Sequence, residues 1–201
     1  MVGPGQVDLG SGQRMRRPAR RDQLLAAATR AFARNGFAAT NLDDIAREAG
    51  ISKVLLYRHF ESKADLYRAV LKRSAAHLAE RVGRDQFTTA SIPALLDAAA
   101  EDPDGFRLLF HHAAREPEFR AEMDQFRASS VEIAHRQLSP LVADPAWASW
   151  AAQLAPTVAV DAVIAWLDAG QPDQGTAAER IGRVIAAVVG AAQVPPALGR
   201  S

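Results

Sequence analysis

The sequence predicts an all-α protein in two parts, a three-helix unit near the N-terminus and a larger helical unit behind it. Three observations predict this. Hydrophobic residues make up 48% of the 201 but aromatics only 6%, so the core is built mainly from Ala, Leu and Val, and Ala is the best helix former. Apolar residues recur at helical spacing in segments separated by Gly, Pro and helix-capping residues. Charge is split along the chain: residues 1–73 carry 14 Lys and Arg against 7 Asp and Glu, whereas residues 74–201 carry 10 against 16. A basic front on an acidic remainder suits a unit drawn to phosphate joined to one that is not. The expected boundaries are a disordered tail at 1–16, the three-helix unit at 17–62, the larger unit at 63–195 and a short tail at 196–201.

The tail holds four of the 13 glycines and no apolar periodicity. Arg14, Arg16, Arg17, Arg20 and Arg21 follow, either as a solvated basic arm or as one that reaches a minor groove. A first helix is expected from Pro18 or Ala19 to Asn35, with Leu24, Leu25, Ala28, Ala31 and Phe32 inward and Gly36 ending it. Leu42, Ile45, Ala46 and Ala49 fall at i, i+3, i+4 and i+7, one face of a short helix that Thr40 or Asn41 can cap. Gly50 suits the left-handed residue that ends it. Ser52 caps a second short helix whose Leu56 and Phe60 face inward with Ile51. Two short helices joined by a Gly-containing turn make a helix-turn-helix.

Lys53 stands in the first turn of that second helix, where the dipole favours anions. Its position is costly unless a phosphate meets it. Tyr57, Arg58 and His59 add donors nearby, and Ser62-Lys63 opens the next helix. This stretch resembles the DNA-binding domain of the TetR family of bacterial transcriptional repressors. The matching residues are the run Leu42 to Gly50, then Ser52-Lys53, Leu56-Tyr57-Arg58-His59-Phe60 and Ser62-Lys63. Upstream, Leu24 to Ala28, Phe32 and Gly36-Phe37 also match. The resemblance covers residues about 20 to 72. It implies that Thr40, Ser52, Lys53, Tyr57, Arg58, His59 and Lys63 lie against double-stranded operator DNA. Val54 and Leu55 depart from the Gly and Thr common in the family. As apolar residues in the major groove they would read thymine methyls.

The helix from Ser62, with Leu66, Tyr67, Val70, Leu71, Ala75, Leu78 and Val82 along it, is the one evident mechanical link between the two units. Gly83 and Arg84-Asp85-Gln86 break the pattern. Ser91-Ile92-Pro93 starts a helix through Leu95, Leu96 and Ala99. Asp102 to Gly105 reads as a turn, and Phe106, Leu109, Phe110 and Ala113 as the face of the next helix. Glu116-Pro117 opens a long amphipathic helix from Phe119 to Leu138. Asp144-Pro145 opens another, with a kink or break expected at Pro156. The last helix runs from about Thr176 to Ala192.

The final two helices are apolar over more than one stripe. A patch on each, Val158, Val163 and Trp166 with Ile181, Ile185, Val188 and Val189, is expected to pair with its copy in a homodimer. The family resemblance further implies that the larger unit encloses a small-molecule effector, for which Phe106, Arg107, Phe110, His111, Trp150 and Asp161 are candidate contacts. An architectural DNA binder without an effector is the alternative reading.

Other classes find little support. There is no cysteine, hence no disulfide or thiolate metal site. His111 and His112 are adjacent, about 100° apart on a helix, and do not share a metal easily. No phosphate loop or nucleophile elbow is present, so neither an enzyme nor a cofactor is expected. No uncharged apolar run reaches the roughly 20 residues that span a bilayer, and no secretory signal opens the chain, so the expected site is the cytoplasm, with no membrane partner.

Overall fold

The side chains that cap the short helices set the N-terminal architecture. In the computed structural model, which describes residues 17–83, 88 and 90–193, α1 (Arg17–Ala39) is followed by α2 (Leu42–Glu48), α3 (Lys53–Tyr57) and α4 (Lys63–Val82). Asn41 accepts from the Asp43 amide, Ser52 from Leu55 and Ser62 from Asp65, each satisfying a donor that a helix start leaves free. Asp65 also accepts from the Glu61 amide at 3.3 Å, near the reciprocal capping box. Gly50 turns the chain between α2 and α3 at φ 65°. Gly36 breaks α1 where expected, at φ 74° and ψ 170°, though one further turn follows it before Thr40.

Behind these helices lies a core with a strong aromatic share. Leu24, Ala28, Phe32, Ile45, Leu56, Phe60, Leu66 and Tyr67 are buried together. Phe32 meets Tyr67 edge-on at 4.8 Å between centroids. Four members of this core, Leu108, Leu109, Ala113 and Phe119, come from far along the chain. The Phe119 ring lies 4.5 Å from Tyr67 and 4.9 Å from Phe37. The division at residue 62 is therefore not a division between cores. Nor is α4 the one link, since the segment around residues 108–119 is a second. Three small helices cannot bury enough apolar area alone, and they borrow it from this segment as well as from α4.

That segment is also less regular than expected. After α5 (Ser91–Glu101), Asp102 to Gly105 does not form a plain turn but opens a one-turn helix, α6 (Pro103–Arg107). Asp102 caps it by accepting from the Gly105 amide, with Pro103 at its first position. Gly105 lets α6 approach α4: a Cβ there would come within 2.3 Å of an Asp102 carboxylate oxygen and 2.6 Å of the Ser74 hydroxyl. A single π-helical turn follows at Leu108–His112, then 3₁₀ turns at Ala113–Arg115 and Pro117–Phe119. The wider turn breaks the expected face. Leu108 and Leu109 turn toward the N-terminal core, Phe106 toward the C-terminal core, and Phe110 between the two.

The remaining helices are α7 (Arg120–Leu138), α8 (Pro145–Asp168) and α9 (Gln174–Ala192). Helix α8 continues through Pro156, where a break or kink had been expected. By length and composition it could cross a bilayer. In this fold its alanine face, with Ala148, Ala151, Ala155 and Ala159, is buried in the second core beside Ile92, Leu96, Phe106 and Ile185. The Arg14 and Arg16 arm, both tails and the run 84–86 lie outside the described residues.

Candidate nucleic-acid interface and effector cavity

Helix α3 is held by its inner side and open on its outer one. Leu56 is fully buried and Ile51 half-buried, while Val54 is 66% and Tyr57 48% exposed. Arg58 is exposed and His59 half-buried. Leu55, expected in the groove beside Val54, is half-buried against the domain. Lys53 does stand at the helix start, but its ammonium lies 2.7 Å from the Asp43 carboxylate. That hydrogen bond and the carboxylate charge raise the lysine's pKa. Part of the dipole conflict read in the sequence is thus relieved within the chain.

Two expected contacts are turned to structural duty. Thr40 is 3% exposed, and its hydroxyl donates to the Gly36 carbonyl at 2.6 Å, one of those left free by the helix break. Lys63 donates to the carbonyls of Ala38 and Thr40 at 3.0 and 3.2 Å and sits 4.6 Å from the centre of the Phe37 ring. The sequence signal for this was available: a helix broken at Gly36 leaves carbonyls that need donors. Behind α2, Arg30 meets Glu48 at 2.8 Å and Arg34 bonds the same carboxylate, tying α2 to α1. The Arg34 hydrogen bond, with Arg30 adding to it, holds Glu48 below its ordinary range.

In the second part, a cavity of about 330 Å³ opens between α4, α5, α7 and α8. Leu78, Val82, Ile92, Leu95, Phe126 and Ile133 line it, with Phe110 from the π-turn. An adjoining cavity of about 210 Å³ shares Phe110, Phe126, Ser130, Pro156 and Val160 with it and adds Met123, Arg127 and Asp161. Of the six candidate effector contacts, the structure brings Phe110 and Asp161 here. Phe106 is buried in the second core, and Arg107 pairs with Asp168 at 2.8 Å. His111 is exposed beside His112, and Trp150 lies on the outer side of α8 against Trp147. Phe106 and Arg107 lie on α6 and Trp150 on the outer side of α8, so helical spacing along the sequence did not show which of these faces meets the cavity. Among the described residues no group of three or more His, Cys, Asp or Glu is placed to hold a metal ion.

Residues 24–70 match the family model described as bacterial regulatory proteins, tetR family. That stretch of the chain is of the TetR family. The chain is 39% identical over 121 residues to the transcriptional activator FasR of Mycolicibacterium smegmatis, covering 56% of this chain and 55% of that one. It is 37% identical over 89 residues to a transcriptional repressor of Streptomyces coelicolor, covering 44% and 46%. The matched stretch therefore spans about half the length of these curated relatives. The fold is shared more widely. A TetR-like regulator from Rhodococcus superposes with a TM-score of 0.69 at 21% identity, over 86% of this chain and 96% of that one. The regulator FadR of Bacillus subtilis, solved in complex with stearoyl-CoA, superposes at 0.67 and 18% identity, over 87% of this chain and all of that one.

In the second part of the chain the expected dimer patch is only partly free. Val163, Trp166, Ile181 and Ile185 are buried in their own protomer, and the Trp166 ring donates to the Pro172 carbonyl at 2.9 Å. Val158, Val188 and Val189 are half-buried. The apolar side chains that face outward are Trp147, Trp150 and Val184, with half-buried Leu154 and Ile164 on α8.

Proposed function

We propose that the protein is a ligand-responsive transcriptional repressor of the cytoplasm that binds operator DNA as a homodimer and leaves it when a small hydrophobic effector fills the cavity. Residues 17–62 are the DNA-binding unit and 63–195 the effector and dimerisation unit. Lys53, Val54, Tyr57 and Arg58 meet the DNA, with Val54 against thymine methyls. No catalytic role is assigned to any residue.

One observation carries the reading. Helix α4 starts beside the DNA-facing unit, with Lys63 on the Thr40 carbonyl, and ends as a cavity wall, with Ala75, Leu78, Ala79 and Val82. An effector that prefers one position of α4 changes the separation of the two recognition helices in a dimer. That separation must match half-sites about 34–36 Å apart. Operator affinity then falls by as much as the effector prefers the mismatched state, and bound DNA weakens the effector by the same factor. The size and apolar lining of the cavity favour this over an architectural DNA binder, which has no use for one. That a TetR-like fold in Bacillus subtilis is solved with stearoyl-CoA supports an effector with a long hydrocarbon part.

The dimer face takes in Trp147, Trp150, Val184 and Val188. Sedimentation should show a dimer at micromolar concentration, with Val184→Glu monomeric and still folded. The functional test uses DNA selected by the purified protein from a random library. Bound DNA should be released by a cavity ligand and protected when Leu95→Trp fills the cavity. Release that ignores Leu95→Trp, or a wild-type monomer, would sink the proposal.

A further inference from the structure

The effector reading can be sharpened to a ligand class, because the two lobes of the cavity differ in what they can satisfy. In the larger lobe every lining side chain is uncharged, and its hydroxyls are already engaged. Ser129 donates to the Gln125 carbonyl at 3.1 Å and Ser130 to that of Phe126 at 3.2 Å, while Ser91 accepts from the Thr88 amide at 3.3 Å. A polar ligand group there would lose water and gain little. The smaller lobe is different. Arg127 on α7 and Asp161 on α8 both line it, and neither has an ion-pair partner among the described residues. Thr157, which also lines it, spends its hydroxyl on the Gln153 carbonyl. Phe110 and Phe126, 5.7 Å apart between centroids, belong to both lobes, so a ligand spanning them passes that ring pair.

We propose that the effector is a single-chain amphiphile with its tail in the larger lobe and a head group bearing both signs of charge in the smaller one, an anionic group on Arg127 and a cationic or donor group on Asp161. The proposal rests on the effector reading of the cavity. A purely anionic head leaves Asp161 beside a like charge and a purely cationic head does the same to Arg127, whereas a neutral-overall head answers both. The larger lobe, at about 330 Å³ and almost wholly apolar, is of a size for a medium-length hydrocarbon tail.

The test is calorimetry on the purified full chain with octyl and decyl betaines, carboxylates and trimethylammonium salts, all below their micellar concentrations. The decyl betaine should bind about tenfold tighter than either singly charged decyl compound, and each added methylene should gain about fourfold. Arg127→Ala should move the preference to the ammonium and Asp161→Asn to the carboxylate, a crossed pattern that general loss of fold cannot produce. If the three head groups bind within twofold of one another, or both variants weaken all three alike, the head-group assignment is wrong while the chain-length dependence leaves the cavity reading standing. If no probe of any head group binds, both fall.

Discussion

The two cores are filled by different chemistry. The N-terminal core interlocks Phe32, Phe37, Tyr67 and Phe119, with centroids 4.5 to 6.2 Å apart. The C-terminal core is built around the alanine face of α8. Aromatic rings fill space between helices that cross at some distance. Alanines let helices come close along one line but leave room unfilled beside it, and Ala75, Ala79 and Ala159 are on the cavity wall. The difference teaches why one half can present a fixed surface and the other can take in a ligand.

Truncation should break the comparison most sharply. Phe119→Ala removes a ring packed on two others and is expected to cost about 3–5 kcal/mol. Phe126→Ala removes one that already borders empty space and should cost clearly less. Urea unfolding followed by circular dichroism compares them, and equal losses would mean the cores are alike. Enlargement is the converse. Ala151→Leu forces a side chain into the closed alanine seam and should cost about 1–3 kcal/mol. Val160→Leu, on the cavity wall, should be close to neutral and should weaken effector binding.

Smaller effects probe the DNA-facing side. Lys63→Ala loses two carbonyl bonds and the Phe37 contact, for about 1–2 kcal/mol of stability. Lys53→Ala removes a phosphate contact, so the dependence of DNA affinity on salt should flatten by about one ion. An unchanged slope would remove Lys53 from the phosphate contacts. The smallest effect concerns Glu48. Its pKa is lowered in the fold, so its stabilisation is present above the unfolded value of about 4.3 and is lost as pH falls through the lower folded value. Glu48→Gln should flatten the stability profile over that acid window and leave the neutral-pH shape of the profile unchanged.

The helix-turn-helix was legible because its signals are short-ranged. Asn41, Gly50, Ser52 and Ser62 each act on backbone within three residues, and the structure uses Asn41, Ser52 and Ser62 as caps and Gly50 at positive φ. Helices α5, α7, α8 and α9 were legible as elements for the same reason. The segment 102–119 was not. Asp102 to Gly105 read as a turn where the structure starts a helix, and the π-turn after it has no signal in the apolar spacing, since Phe106, Leu109, Phe110 and Ala113 suit an ordinary helix equally well.

The sequence by itself determined the helical class, the recognition unit and the positions where chains of apolar residues begin and end. Each of these depends on local dihedral preference or on periodicity along one element. Tertiary structure alone decided which way the apolar stripes point. Periodicity states how wide a face is, not what it meets. Thus Val163, Trp166, Ile181 and Ile185 turned into their own protomer, leaving Trp147, Trp150 and Val184 outside. It also decided that Lys63 and Thr40 answer carbonyls of α1's broken end, and that Arg127 and Asp161, 34 positions apart, line one cavity. Such pairings follow from the packing of whole helices, which no window of sequence contains.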